Sequence, residues 1–338
     1  MTSNEWHTWL ESQNIAVSHG MITSASASST EEPWLTLLGH QLLLTFSGKE
    51  NRKFLQGQLT CDVEKLKNNQ TTLGACCTPK GRMVANFRIV AHNDDLIFSL
   101  PADQSDVLHE HLKKYAMFFR TVSIHPQNDK WVRLGLGGKK ASELLIELFG
   151  QIPETGTIAE NDYGMAFSVF EFSQRYELWI KPDRIQQVWE KLSAKATVVS
   201  TAAWQLSDIK DGIAWVTEAS RDAWIPQHLN WQAVDGVSFK KGCYTGQEIV
   251  ARMKYLGKLK SRLYRFTLEG QDLPAIGSIV NNQAGNKTGD IVATIQSADK
   301  SHIELLAVVR KADTEAELTL ADTGTKLQLQ NIPYSVED

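Results

Sequence analysis

Cysteine is scarce in this sequence: there are four among 338 residues, two of them adjacent at Cys76 and Cys77. That is too few for a disulfide scaffold in a chain of this length, and reduced thiols are expected. Long apolar runs are missing too. No window approaches the roughly 18 consecutive apolar residues of a membrane span, and residues 1–15 are polar, acidic and Trp-bearing where a signal peptide needs a basic start and an apolar core. The expected compartment is the cytoplasm. Positive charge is not in excess either: 35 Lys plus Arg against 39 Asp plus Glu leave −4, which does not point to a nucleic-acid binder. What is present, 42% hydrophobic and 22% charged residues, suits two or three packed domains and excludes disorder.

Residues 1–17 have the pattern of a short helix, and the Ser/Thr-rich stretch 18–32, which lacks periodicity, is expected to be a linker. A strand over 41–46 leads into Ser47-Gly48-Lys49-Glu50, a capping-box pattern that predicts a helix over 48–59 with Phe54, Leu55 and Leu59 buried. Strands over 72–77 and 83–92 are joined at Thr78-Pro79-Lys80-Gly81, a strand follows over 96–100, and a helix over 103–115 carries Val107, Leu108, Leu112 and Tyr115 at helical spacing. A similar order recurs as strand 131–136, helix 139–149, strands 165–172 and 176–180, and helix 183–192, which suggests a degenerate duplication. From 258 onward six short strands (259–268, 278–280, 289–296, 303–309, 316–320 and 326–329) alternate with Gly, Asn and Asp turns, the pattern of a small β-barrel. The expected fold class is α+β, divided into an N-terminal extension and linker (1–32), two α+β subdomains (33–130 and 131–257) and a C-terminal barrel (258–338).

The densest chemical signal is the run 239–248. Thr245-Gly246-Gln247-Glu248 is another capping-box pattern, with Tyr244 and Ile249 placed as a hydrophobic staple, so a helix is expected to begin here with Ile249, Met253 and Leu256 as its apolar stripe and Gly257 at its end. Cys243 then lies two residues before the N-cap, at the positive end of the helix dipole and beside Lys240 and Lys241. These influences favour thiolate and single it out as the reactive cysteine. Cys61, Cys76 and Cys77 lie among apolar or strand-forming residues and fit small core hydrophobes. No Cys-x-x-Cys pair or nearby His spacing forms a chelate, so no metal site is expected. Residues 251–265 hold six basic residues and no acidic one. They form either a solvated face or a patch for an anionic ligand tail, phosphate or RNA, with Lys254, Lys258, Lys260 and Arg262 as its contacts. Trp204, Trp215, Trp224 and Trp231 fit core packing, and one or two of them fit stacking on a flat heteroaromatic ligand.

The run KKGCYTGQE (Lys240, Lys241, Gly242, Cys243, Tyr244, Thr245, Gly246, Gln247, Glu248) resembles the YgfZ family, as do Ile225-Pro226-Gln227 and Asn230, QGQLTCDV at 56–63 and PKGR at 79–82. These are folate-binding proteins related to the T-protein of the glycine cleavage system, and the resemblance runs from about residue 35 to Pro333-Tyr334-Ser335. It implies a ring-like, T-protein-like duplicated α+β folate-binding region followed by a β-barrel. Tetrahydrofolate or a derivative would sit in the central cavity. It also implies a role in assembly or repair of iron-sulfur enzymes, including one that thiomethylates tRNA, and through them in tRNA modification and regulation of replication initiation. Carried over by position, one folate-contacting tryptophan is Trp204; the other falls at Gln41, with His40 or Trp34 as stand-ins. The resemblance favours a monomeric, non-catalytic accessory protein that touches tRNA indirectly and no membrane. The alternative is a tetrahydrofolate-dependent aminomethyl or one-carbon transferase, for which Asp62 and Asp208 are candidate bases.

Overall fold

A computed structural model describes residues 3–23, 32–255, 257 and 259–336. The chain begins with α1 (Ser3–Ser12) and a hairpin of β1 (Val17–Ser18) and β2 (Met21–Ile22), followed by β3 (Trp34–Leu37) and β4 (Gln41–Ser47). Next come α2 (Asn51–Gln56), β5 (Gln70–Cys77), β6 (Met83–His92), β7 (Asp95–Pro101), α3 (Ala102–Ala116) and β8 (Ser123–Pro126). The second half runs through β9 (Val132–Gly137), α4 (Ala141–Phe149), β10 (Ala159–Asn161), β11 (Gly164–Ser168), β12 (Arg175–Ile180), α5 (Ile185–Ser193), β13 (Thr197–Val198) and α6 (Thr201–Lys210). After α7 (Gln247–Tyr255), strands β14 (Ser261–Glu269), β15 (Ile279–Asn281), β16 (Lys287–Gln296), β17 (His302–Arg310), β18 (Leu318–Leu320) and β19 (Lys326–Gln330) close the barrel β14-β17-β16-β15-β18-β19.

Two sheets precede the barrel, one ordered β5-β6-β7-β4-β8 and one ordered β10-β11-β12-β9-β3-β13. Side chains alternate across each strand, so each sheet has two distinct faces. On β6, Ala85, Phe87, Ile89 and Ala91 pack with Phe54 and Leu55 of α2 and with Leu108 and Leu112 of α3. Val90 turns the other way, joining Leu43 and Ile97 of its own sheet to Met165, Phe167 and Trp179 of the second. The second sheet repeats this scheme, with Leu134, Leu136 and Leu178 under α1, α4 and α5. The layers are therefore helices, sheet, sheet, helices. A further core joins both sheets to the barrel through Trp204, Trp231, Leu263 and Val308. The α+β fold with a closed terminal barrel is the one expected.

Several local expectations fail for tertiary reasons. α2 covers only Asn51–Gln56, and Ser47 makes no cap: Glu50 N donates to Thr121 Oγ1 at 3.2 Å, and the Thr121 hydroxyl donates back to the Glu50 carboxylate at 3.0 Å. Leu59 leaves the helix because its backbone bridges to Cys76. The stretch 18–32 is not wholly a linker. β1 and β2 form a hairpin in whose turn the Gly20 carbonyl oxygen accepts from the Gly39 N–H, and Ile22 N donates to Thr201 Oγ1, while residues 24–31 lie outside those described. Trp6 and Leu10 of α1 are buried against the second sheet, Trp6 stacking on Trp9 at 5.1 Å. The division at 130/131 does not separate the sheets, because β3 pairs with β9 and belongs to the second sheet although it precedes the first in the chain.

Gly135 and Gly137 of β9 lie directly under the rings of Trp204 and Trp34, where an added Cβ would overlap the indoles. Gly135→Ala is expected to lower stability by about 1–3 kcal/mol through overpacking. Gly242→Ala, where an added Cβ meets nothing within 4 Å, should leave stability nearly unchanged. Urea denaturation of both variants checks the contrast.

Candidate functional site

The loop before α7 is held by a side chain that points inward. Lys241 is buried, and its ammonium donates to the carbonyl oxygens of Gln56 at 2.8 Å, Leu59 at 2.7 Å and Cys61 at 2.6 Å. Three donors meet three acceptors, which leaves the cation hydrogen-bonded although burial pushes its pKa down to about 8. Backbone bonds lie on either side of this clamp: Thr245 N donates to Gly57 O, and Ser238 N to Thr60 O, while Thr60 Oγ1 donates to Gly236 O. The segment at 56–63 is thus the floor under the 240–248 loop. The Lys241 ammonium is turned away from solvent, which corrects its expected place as a surface charge flanking Cys243.

The turn at 78–82 meets the same loop through two glycines. Gly246 at φ +85° and Gly81 at φ +70° face each other so closely that a Cβ on Gly246 would press on Thr78 O and Gly81 Cα. The left-handed backbone and the close approach both require glycine here. Thr245 does not cap α7 with its side chain; its hydroxyl donates to Gln58 Oε1 at 3.3 Å. The helix buries Val250 rather than the expected stripe. Ile249 and Met253 are half-buried, and Leu256 lies outside the described residues. Gln227 Nε2 donates to Val250 O at 2.6 Å and Asn230 Nδ2 to Leu263 O at 3.0 Å, tying α7 and the barrel to the 225–230 segment. Within this frame Tyr244 is buried, its ring 5.2 Å from Lys241 Nζ, whereas Lys240, Gly242, Cys243 and Glu248 are exposed and Gln247 is half-buried. Cys61, Cys76 and Cys77 are buried, and desolvation pushes the first two thiols up to about 12. Cys243 is the exposed cysteine. A cleft of about 650 Å³ lies beside this turn, lined by Thr78, Pro79, Lys80, Arg82, Asp222 and Ala223.

Gln41 lies on the inner face of β4, and Trp204 of α6 packs on the inner face of β9 at Gly135. Trp204 is 2% exposed, with the Arg175 guanidinium 4.6 Å from its ring and Trp34 edge-on at 6.1 Å. Gln41 Oε1 accepts from Ser99 Oγ at 2.8 Å, Ser99 accepts from Arg133 Nη1 at 2.9 Å, and Arg133 Nη2 donates to the carbonyls of Leu38 and Gln41. Arg175 pairs with Asp208 at 2.8 Å and Asp211 at 2.6 Å; burial opposes its charge, but these carboxylates outweigh it and raise the pKa. Arg88 lies between Phe167 and Phe170 and donates to Val169 O, and Glu177 accepts from Trp179 Nε1 at 2.7 Å. Burial moves Arg88 and Arg133 down to about 10. The sequence reading passed over Arg88, Arg133, Arg175 and Glu177. Their signal is a charge at an inward-facing position of an otherwise apolar strand.

The candidate bases are both occupied. Asp208 accepts from Trp215 Nε1 as well as Arg175, and Asp62 is held by Gln56 Nε2 and Lys65. The basic stretch behind α7 is only partly a surface: Lys254 and Lys260 are exposed, Arg262 is buried with Nη1 donating to Val336 O, and Lys258 lies outside the described residues.

The GCVT N-terminal domain family matches residues 40–203. The tRNA-modifying protein YgfZ of Pectobacterium carotovorum subsp. carotovorum is 33% identical over 319 residues, covering 92% of this chain and 95% of that protein. The protein of the same name from Yersinia pseudotuberculosis is 35% identical over 321 residues, covering 92% and 96%. Among solved structures, the glycine cleavage system aminomethyltransferase T of Bartonella henselae superposes with a TM-score of 0.70 at 14% identity, covering 90% of this chain and 86% of that one.

Lys241→Met should destabilise the protein by about 2–5 kcal/mol, because three buried carbonyls lose their donor; the shift in urea midpoint measures it. Acid should destabilise the fold as well. His40 is held down to about 3 by burial and by Arg133 and Arg175, and His228 to about 4 by burial and Arg82. Both folded values lie below the unfolded value of about 6.5, so unfolding takes up protons below that pH and stability falls as pH drops, by about 1.4 kcal/mol per unit for each group. The loss runs to about pH 4 for His228 and about pH 3 for His40. Denaturation at pH 7 and at pH 5 should show a flatter dependence in His40→Gln and His228→Gln.

Proposed function

The chain belongs to the YgfZ family of tRNA-modifying proteins, and on that premise we propose that it is a folate-binding accessory protein of the cytoplasm whose Cys243 thiol does redox or sulfur chemistry. That chemistry supports the assembly or repair of iron-sulfur enzymes, among them a tRNA-thiomethylating enzyme. Modification of some tRNAs, and regulation of replication initiation, follow from it. The observation that carries this reading is the convergence of two separated segments on one loop: Lys241 is clamped to 56–61 and Gly246 is packed on 78–81, while Cys243 stands exposed. Such wiring fixes a thiol at the surface without enclosing it, which suits exchange with a partner's sulfur or cluster.

Tetrahydrofolate or a derivative fits the inner faces of the sheets. Both ring nitrogens of His40 are buried without a partner among the described residues, close enough to Arg133 and Arg175 to feel their charge, and Trp204 and Trp34 supply an aromatic wall. Orphaned polar atoms beside aromatic rings suit a hydrogen-bonding heterocycle such as a pterin. Trp34 takes the place of the tryptophan that this chain lacks at Gln41. When bound, tetrahydrofolate would supply one-carbon carriage. The transferase alternative is disfavoured because Asp62 and Asp208 are both engaged in structural pairs.

Cys243→Ser is expected to abolish support of tRNA thiomethylation in cells while leaving folate affinity within about twofold of the parent; full support by that variant would remove the thiol from the reading. In a fluorescence titration with tetrahydrofolate, Trp204→Phe should weaken binding about tenfold.

A further inference from the structure

A turn between a helix and a strand is ordinarily built from polar residues, glycine or proline. The one after α3 is not. Its residues Met117 and Phe118 are 74% and 78% exposed, more than any other large apolar side chain among the described residues. The fold makes no use of them. Phe118 N donates to Tyr115 O and Phe119 N to Ala116 O, and it is Phe119 that packs inward, its ring 5.2 Å from that of Phe54 in α2. Two adjacent apolar side chains held in water add nothing to the core, and such a patch marks a surface that meets another molecule.

Charge narrows the choice of that molecule. Residues 113–120 hold Lys113, Lys114 and Arg120, all exposed, and no acidic residue. Lys113 reaches Glu110 at 3.4 Å, whereas Lys114 and Arg120 pair with no carboxylate among the described residues. Met, Phe and Arg are residue types that gather in protein interfaces, and cations around an apolar knob complement an apolar pocket rimmed with carboxylates. A lipid surface is the poorer match. Glu110 stands exposed one turn before Lys114, where an anionic membrane would repel it, and two side chains bury less apolar surface than a myristoyl chain, which by itself binds membranes only marginally.

Position ties the knob to the cysteine loop. Phe54, which holds Phe119, is two residues from Gln56, about 3 Å along the helix, and the Gln56 carbonyl accepts from Lys241 at 2.8 Å. Knob and loop therefore flank one short helix, close enough for one partner covering roughly 800 Å² to meet both. The exposed members of the loop, Lys240, Gly242, Cys243 and Glu248, offer such a partner no large apolar anchor. Met117 and Phe118 do.

We infer that Met117 and Phe118, flanked by Lys113, Lys114 and Arg120, dock the protein that exchanges sulfur or a cluster with Cys243, entering an apolar pocket bordered by Asp and Glu on that partner. The inference rests on the accessory-protein reading of Cys243 and adds to it where the partner is gripped.

The test reads tRNA thiomethylation in cells that depend on the full-length chain. Met117→Ser/Phe118→Ser should lower it at least about fivefold, and Lys114→Glu/Arg120→Glu should do the same. Both variants should keep the parent urea midpoint and react at Cys243 with dithionitrobenzoate within about twofold of the parent rate, since neither touches the thiol. Should the serine pair not fold, Phe118→Gln alone carries the test. Benzoylphenylalanine placed at position 118 should crosslink in cells to an iron-sulfur protein, and that adduct should vanish with Lys114→Glu/Arg120→Glu. Full thiomethylation in the serine pair, with Cys243→Ser inactive, would overturn the docking inference and leave the thiol reading standing. Full thiomethylation in Cys243→Ser, with the serine pair inactive, would remove the thiol reading and keep the docking surface. Flotation of the parent, but not of the serine pair, with phosphatidylglycerol vesicles would overturn the inference in favour of a lipid surface. A dimer in sedimentation that the serine pair dissociates would do so in favour of a second copy of the chain.

Discussion

Three guanidinium groups, Arg88, Arg133 and Arg175, and the Glu177 carboxylate are buried on the inner faces of two β-sheets, and α6 adds the buried carboxylate of Asp208. An isolated ion in such a place costs several kcal/mol, so each must find its partner, and that requirement holds the sheets in one register. Slipping β12 by one residue would turn Arg175 and Glu177 toward the helices and bring Tyr176 and Leu178 inward. α6 is fixed by the same constraint, because it delivers Asp208 to Arg175 and, one turn earlier, Trp204 to the glycines of β9. From α6 the demand passes to the barrel, whose Leu306 and Val308 pack in the same core as Trp204.

A second clamp, smaller and more local, positions the loop that carries Cys243. The Lys241 ammonium reaches three carbonyls in the 56–61 segment, and once it does so the backbone on either side has little freedom. Cys243 follows two residues later and faces solvent. Three residues of the 240–248 motif are occupied in holding the loop: Lys241 below it, Gly246 against Gly81, Tyr244 buried. The Cys243 thiol stays exposed, together with Lys240, Gly242 and Glu248.

The strands of the barrel, the β5 and β6 pair and α3 were legible to within a few residues, because periods of 2 and 3.6 are local properties of the chain. The two capping boxes were not. Glu50 at the first and Thr245 at the second turn to partners far away in sequence, Thr121 and Gln58, and no local pattern encodes that competition. The N-terminal stretch looked like a linker for the same reason. Its anchors, Thr201 Oγ1 and the Gly39 amide, lie beyond any window that reads it. A lysine pair beside Cys243 was equally compatible with two surface charges or with one turned inward. Only the carbonyls waiting at 56–61 separate the two.

Scarce as cysteine is, the sequence alone sufficed to mark Cys243 as different from the others, since two lysines, two glycines and a helix start are local facts. It likewise determined the order of most strands and helices and the terminal barrel, which follow from periodicity and turn residues. What only the tertiary structure decided is which charges are buried, which lysine is a clamp, and that Gln41 lies on an inner sheet face while Trp204 of α6 packs on the inner face of β9. Burial and pairing are properties of two segments brought together. Neither segment carries them by itself.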